Sequence, residues 1–418
     1  MKKKLTLALG ILMLITTLTA CTTEPAPPEA TDWDFPSIHI TFDMHVERNT
    51  WKDATVTITG TEEAHAFENA EARIRGRGNT SWQMGYWTWG ANPVWERSKQ
   101  PFRLRFNPTV SMLDSGYEAR DWTFIANLSD LSLMRNYSAY HLASLLDGMD
   151  YAPFARFVHV YFDSRGQTHY RGLYMLCVQL SEVMEHRVDL RGDPDPASSE
   201  YLIQMCMRAD WHDGVYGEDF ITVNTRHYEI PFPRGNDLSA DHIDYVRDFL
   251  TKIDTAIFAT DEAVFEYIDL DSFIDFFIVQ ELYKNPDIHF SSVWMQLKGE
   301  GEDRRLHIGP VWDFDLAAGN AYHQGQHFQG EVRLPPGIES YEYGYGPYGH
   351  FASVFNQWYR YLMEQPRFQE ALVQRWPYLG YDLWPNPEAV VEIDTFMGQV
   401  EYLIDFLERR AAWLECGI

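Results

Sequence analysis

The chain has 418 residues, 45% of them hydrophobic and 15% aromatic, enough to bury the core of one large or two average domains. Its 61 acidic residues against 34 basic ones give a formal net charge of −27. That balance repels nucleic acid and anionic lipid surfaces and favours basic peptides as partners.

Residues 1–20 read as a targeting segment. Lys2, Lys3 and Lys4 form a basic start, residues 5–15 an apolar run, and Leu18-Thr19-Ala20-Cys21 resembles a bacterial lipoprotein processing site. The resemblance implies cleavage before Cys21, lipid on that cysteine, and a place on the bacterial cell envelope. Without the three lysines, 31 basic residues face 61 acidic ones, a net −30. Residues 21–36 form a Pro-rich, acidic tether, and the folded domain is expected over residues 37–418. No other segment is apolar for long enough to span a bilayer. Cys177, Cys206 and Cys416 remain, an odd number, so no disulfide framework is expected.

Residues 37–46 and 54–60 alternate apolar and polar positions, the pattern of half-buried strands. Residues 72–106 are the basic patch of an acidic protein. Arg73, Arg75, Arg77, Arg97, Lys99, Arg103 and Arg105 are opposed only by Glu96, a local +6. Arg73-Ile74-Arg75-Gly76-Arg77 and Arg103-Leu104-Arg105-Phe106 alternate, so two neighbouring strands would present a cationic face. Arginine forks match phosphate oxygens in pairs, a lysine acts on them as a point charge, and Gly76 and Gly78 would let backbone approach a ligand. A solvated face paired to local acids is the other reading. Trp82, Trp87, Trp89 and Trp95 lie between the strands, as a hydrophobic cluster under a loop or as a stacking element.

Residues 128–146 have helical spacing, with Ser129 or Asp130 as cap and Arg135 as an internal ion-pair partner rather than a phosphate ligand. Residues 157–162 and 170–176 flank a turn, as in a hairpin. Residues 178–188 read as partly helical. The RGD triplet at 191–193 sits in a Pro- and Asp-rich turn. Residues 200–207 and 220–224 read as strands, and residues 239–258 and 271–283 as helices. The second of these is apolar almost all round, the mark of a buried helix. Residues 352–364, 367–376 and 388–414 make the C-terminal third helical. One α+β domain accounts for the whole.

The stretch 281–320 carries the chemistry. Residues 293–298 and 304–308 flank a polar, Gly-containing turn and read as a hairpin. A hairpin returns the chain to its starting end. The loop before it (Asn285, Asp287, His289, Ser291, Ser292) and the loop after it (Asp313, Asp315) should therefore lie side by side. Hard cations such as Mg²⁺ take oxygen ligands of this kind. Phosphoryl transfer uses one Asp to orient a hydroxyl and another to hold metal on the phosphates. Asp residues also cap turns and helices. HExxH, CxxC and GxSxG motifs are missing, which leaves zinc and serine-hydrolase chemistry without ligand spacing or a nucleophile elbow.

Six ordered blocks resemble the spore-coat protein H (CotH) kinase-like family: RIRGRGNTSW at 73–82, KQPFRLRF at 99–106, LSDLSLMRNYSAYHLA at 128–143, FVHVYF…YRGLYML at 157–176, SFIDFFIVQELYKNPD at 272–287 and IGPVWDFDLAAGN at 308–320. The resemblance implies a divergent, reduced protein-kinase-like fold, with an antiparallel N-terminal sheet and a helical C-terminal part. It implies transfer of the ATP γ-phosphoryl group to Ser or Thr of a protein, with Mg²⁺ or Mn²⁺. Asp287 would face the substrate hydroxyl. Asp313 would hold metal, with Asp315, Ser292 and Asn285 as further metal-side residues. Lys99 would bind phosphate, with Arg75 and Arg77 nearby. Relatives carry a Glu just after YRGLYML, where this chain has Val178; Glu182 or Glu185 could substitute. A surface binding or assembly module on the same fold is the alternative.

Overall fold

The period-two apolar pattern of the N-terminal half closes on itself. β1 (Ser37–Thr41), β2 (Lys52–Thr59), β3 (Phe67–Gly76), β4 (Phe102–Val110), β5 (Ala119–Ile125), β6 (Arg156–Ser164) and β7 (Gln167–Val178) form a closed barrel in the order β1-β2-β3-β4-β5-β7-β6. All pairs are antiparallel except β1 with β6, which run parallel from Ser37 beside His159 to Thr41 beside Asp163. The antiparallel N-terminal sheet of the expected kinase-like fold is therefore a closed barrel with one parallel pair. Ile38, Ile40, Val56, Ile58, Ile74, Leu104, Phe106, Trp122, Phe124, Val158, Val160 and Phe162 fill its interior. Closure pairs both flanks of strands that would otherwise expose an edge.

The computed structural model describes residues 35–43, 46–48, 50–78, 81–82, 99–116, 118–164, 166–182, 190–206, 220–289, 291–320, 351–352, 356–375 and 403–408. The targeting segment, the tether up to residue 34, Trp87, Trp89, Trp95, Glu185 and Cys416 lie outside these residues, as does most of the expected helix at 388–414. Residues 36–418 form one compact unit.

A second sheet builds the other half. β8 (Tyr201–Cys206), β9 (Phe220–Val223), β10 (Arg226–Phe232), β11 (Ser291–Lys298) and β12 (Arg305–Ile308) are ordered β12-β11-β8-β10-β9, every pair antiparallel. The expected hairpin is β11 with β12, in register from Met295 beside Ile308 to Lys298 beside Arg305. α1 (Arg135–Ser144), α2 (Ala240–Phe258), α3 (Leu270–Tyr283), α4 (Gln357–Leu362) and α5 (Pro366–Arg375) contribute to its large core. Every residue of α3 from Ser272 to Tyr283 is buried, as its all-round apolarity demands. β7 serves both cores: Tyr174, Leu176 and Val178 point into the barrel, while Met175 and Cys177 point into the larger core. Cys177 and Cys206 are buried thiols without a disulfide.

α1 starts seven residues later than its spacing suggests. The Asp130 carboxylate accepts from the backbone N–H groups of Ser132 and Arg135, at 3.0 and 2.9 Å. Such side-chain bonds compete with helix formation, and the segment before Arg135 turns instead. The Arg135 guanidinium then pairs with Asp130 at 2.5 Å, both side chains fully buried.

Candidate active site

α3 ends where Lys284 adopts a left-handed backbone, φ +47°. The chain leaves it through Asn285 into a 3-10 turn, Pro286–His289, which carries Asp287 half-buried. Asn285 is 2% exposed, and its carboxamide bonds in two directions. Nδ2 donates to the Asp313 carbonyl at 3.2 Å, and Oδ1 accepts from the Asp287 N–H at 3.1 Å. The turns before and after the hairpin thus meet at one side chain.

Asp313 has φ +67°, a backbone that L-residues rarely adopt. Neighbours hold it there. Its N–H donates to Tyr140 Oη at 3.5 Å, and the next N–H, of Phe314, donates to Asn136 Oδ1 at 2.7 Å. The Tyr140 ring stacks on Trp312 at 5.6 Å. Ser292, itself at φ +63°, donates Oγ to Asp313 Oδ2 at 3.2 Å. Asp315 stands beside Asp313 and accepts a hydrogen bond from Ser129 Oγ. Asn320 Nδ2 ties the same loop, donating to the carbonyls of Asp315 and Ser129 at 2.6 and 2.7 Å. Arg135 Nε adds a bond to the Ala317 carbonyl at 3.1 Å. Burial, and then the charge of Asp313, push the Asp315 carboxyl up to about 7 against the Ser129 bond.

The cations divide into two groups. Arg77 faces the acidic pair: burial lowers its pKa, and Asp313 is first among the groups that oppose the shift, with Asp315 also acting on it. Its guanidinium lies 6.0 Å from the Trp312 ring centre. Lys99 packs its stem over Gly172, at φ +105°, where a Cβ would come within 3.4 Å of Lys99 Cε. Its ammonium sits 5.4 Å from the Tyr174 ring. Burial lowers its pKa to about 8, and Asp130 opposes that.

Arg75 belongs elsewhere. It lies over Trp51 at 4.7 Å, and the charges acting on it are those of Arg105 and Asp121. It lies two residues before Arg77, and both act on Arg103, but neither Asp313 nor Asp315 is among the charges that act on Arg75. Gly76 does not make room for a ligand either: the Trp82 ring occupies the space a Cβ would take, at 2.2 Å. Gly78 is likewise covered, by Ser81.

Val178 is 2% exposed inside the barrel. Glu182, one expected substitute for the missing acid, accepts from the backbone N–H groups of Arg120 and Asp121. The acid that acts on Lys99 is Asp130. Sequence reasoning named Asp130 only as a cap and missed Asn136, Tyr140 and Asn320. Their signal is a polar side chain at an inward-facing position of a helix or turn.

The oxygen donors of Asp313, Asp315 and Ser292 fit a hard divalent cation. Two neighbouring, half-buried carboxylates repel each other, and such an ion would relieve that. No cluster of three or more His, Cys, Asp or Glu occurs among the described residues. Mg²⁺ takes one or two carboxylates and fills its shell with water and phosphate. Asn285 Oδ1 already accepts from the Asp287 N–H, which leaves it one lone pair.

A half-buried carboxylate pair faced by Arg77, with Lys99 nearer Asp130, on a mixed α/β scaffold, can take an anion that carries metal. The chain belongs to the CotH kinase protein family, whose family model matches residues 73–383, a span that includes every residue of this site. Family membership brings a kinase-like function. Comparison with curated proteins gives no match.

Proposed function

We propose that this chain is a lipid-anchored, kinase-like phosphotransferase of the bacterial cell envelope. It moves the γ-phosphoryl group of ATP to a Ser or Thr hydroxyl of a surface or secreted protein. One observation carries the reading: the Asn285 carboxamide bonds both acidic turns, 3.1 Å to the Asp287 N–H and 3.2 Å to the Asp313 carbonyl. Phosphoryl transfer asks for little beyond positioned charge.

Asp287 accepts the hydroxyl proton as the new oxygen–phosphorus bond forms. The bond from the γ-phosphorus to its bridging oxygen breaks, and ADP leaves. Lys99 and Arg77 balance phosphate charge. Asp313 and Asp315, with Ser292 beside them, would hold Mg²⁺ or Mn²⁺, which would supply positive charge for the phosphate oxygens. Asn285 sets the spacing of the two turns. The net −30 of the processed chain favours basic, Ser/Thr-rich proteins, an effect that salt weakens. Lipid on Cys21 holds the enzyme at the membrane.

The test is label transfer from ATP to a basic Ser-rich peptide with Mn²⁺. Asp287→Asn and Asp313→Asn should each abolish it; transfer that persists in both removes these residues from the mechanism. Val178, buried where relatives carry an acid, favours a second reading, a binding or assembly module. Calorimetry separates the two, since a module gives no heat with millimolar ATP and Mn²⁺.

A further inference from the structure

The arginines beyond Arg77 form a separate feature. Arg75 lies directly opposite Arg103 in the β3–β4 ladder, and Arg73 opposite Arg105. Like charges placed so destabilise a sheet. Among the described residues their ion-pair partners are Asp121 and Asp53. Asp121 binds Arg105 through two contacts of 2.6 Å and reaches Arg103 only at 3.7 Å; exposed Asp53 stands 3.7 Å from Arg73. The Nε groups of Arg75 and Arg103 are buried and have no hydrogen-bond partner among the described residues. Trp51 holds the forks in place, 4.7 Å from Arg75, 4.5 Å from Arg105 and 6.0 Å from Arg73.

We propose that this strip is a docking site for an extended acidic peptide segment. Guanidinium forks match carboxylates in pairs. Side chains on one face of a strand repeat about every 6.6 Å, and so do alternate residues of an extended peptide. Acidic groups at every second position therefore meet successive arginines. The charges of Arg77, Arg75 and Arg105 all act on Arg103, so the strip runs unbroken to the arginine that faces Asp313. A segment on it leads toward the acidic pair. Arg75 answers to Arg105 and Asp121, not to Asp313 or Asp315, which sets this stretch apart from the phosphate end.

The local sign is opposite to that of the whole molecule, and range decides between them. At physiological salt a charge is screened within about 8 Å, so the acidic body steers weakly while the strip acts at contact. The docking segment is acidic whatever the rest of its protein carries. Its use as a substrate handle rests on the kinase reading; the binding does not.

The test uses the full chain without nucleotide and a fluorescent peptide of alternating Asp and Ser, read by anisotropy. Alternating Asn-Ser and Lys-Ser peptides are the comparisons. The acidic peptide should bind best. Arg75→Gln and Arg103→Gln should each weaken it about tenfold, the effect of losing one charged hydrogen-bond partner. The paired change Arg75→Glu with Arg103→Glu should reverse the preference toward Lys-Ser, a gain that no folding defect mimics. Equal binding of Asp-Ser and Asn-Ser overturns the proposal, as does unchanged binding by both Gln variants. Displacement of the acidic peptide by ATP, lost together with peptide binding in the Gln variants, gives the strip to the nucleotide and also overturns it. Peptide binding without any phosphotransfer leaves the strip standing and removes only the kinase reading.

Discussion

Asn285 Nδ2 lies 3.2 Å from the Asp313 carbonyl, across the base of the β11–β12 hairpin. That contact turns two loops separated by 28 residues into one site. It also predicts a phenotype. Asn285→Ala leaves the Asp313 carbonyl and the Asp287 N–H without this partner in a buried place, costing about 1–3 kcal/mol for each such group. Thermal melting should show that loss. Label transfer should fall further than melting explains, because Asp287 and Asp313 lose their common spacer. Activity that tracks folded fraction alone would make Asn285 purely structural.

Arg135 and Asp130 form a fully buried ion pair at 2.5 Å. Removing one partner strands the other charge, with a typical cost of about 3–5 kcal/mol. Arg135→Leu also deletes the bond to the Ala317 carbonyl, behind the loop that carries Asp313 and Asp315. Chemical denaturation should show a lower midpoint. An unchanged midpoint would mean that the pair adds nothing over an apolar substitute.

Much of this site is written locally. The β11–β12 hairpin follows from two apolar runs around a Gly-containing turn, and the shared cationic face of β3 and β4 from strict alternation, though not its register. α3 follows from apolar residues all round. Other features depend on partners distant in the chain. β1 and β6 pair in parallel across more than a hundred residues, and no local pattern announces such a closure. β10 hides behind Pro231 and Pro233, which read as breakers. The turn before α1 looks helical until the Asp130 carboxylate takes the N–H groups of Ser132 and Arg135. Asn136 and Tyr140 sit among the apolar residues of α1, so their bonds to the Asp313 loop appear only in three dimensions.

Lys99 gives a pH signature. Burial brings its pKa to about 8 from an ordinary value of 10.5. The folded state thus binds fewer protons than the unfolded one between these values, and stability rises with pH across that window. Lys99→Met removes the penalty of a buried charge, so it should raise the melting temperature at pH 7 and flatten the curve from about pH 8 to 10.5. Nucleotide binding should show the reverse trend. Phosphate attracts only the ammonium form, so ATP affinity should fall as pH passes about 8 in the wild type and be weak throughout in Lys99→Met.

Asp315 supplies the complementary test with metal. Its carboxyl is held up to about 7 by burial and by Asp313. An acid raised this way in the folded state stabilises the fold below its unfolded pKa of 3.8 and loses that contribution as pH rises through about 7. Asp315→Asn should therefore raise the melting temperature at pH 8 and change it little at pH 4. A cation at Asp313 and Asp315 competes with the proton, so Mn²⁺ should stabilise the wild type more at pH 8 than at pH 6. With the ion at a hundred times its dissociation constant, the gain is about 2.7 kcal/mol. Asp315→Asn should lose most of it. A Mn²⁺ effect equal at both pH values, or undiminished in Asp315→Asn, would place the ion elsewhere on this acidic chain.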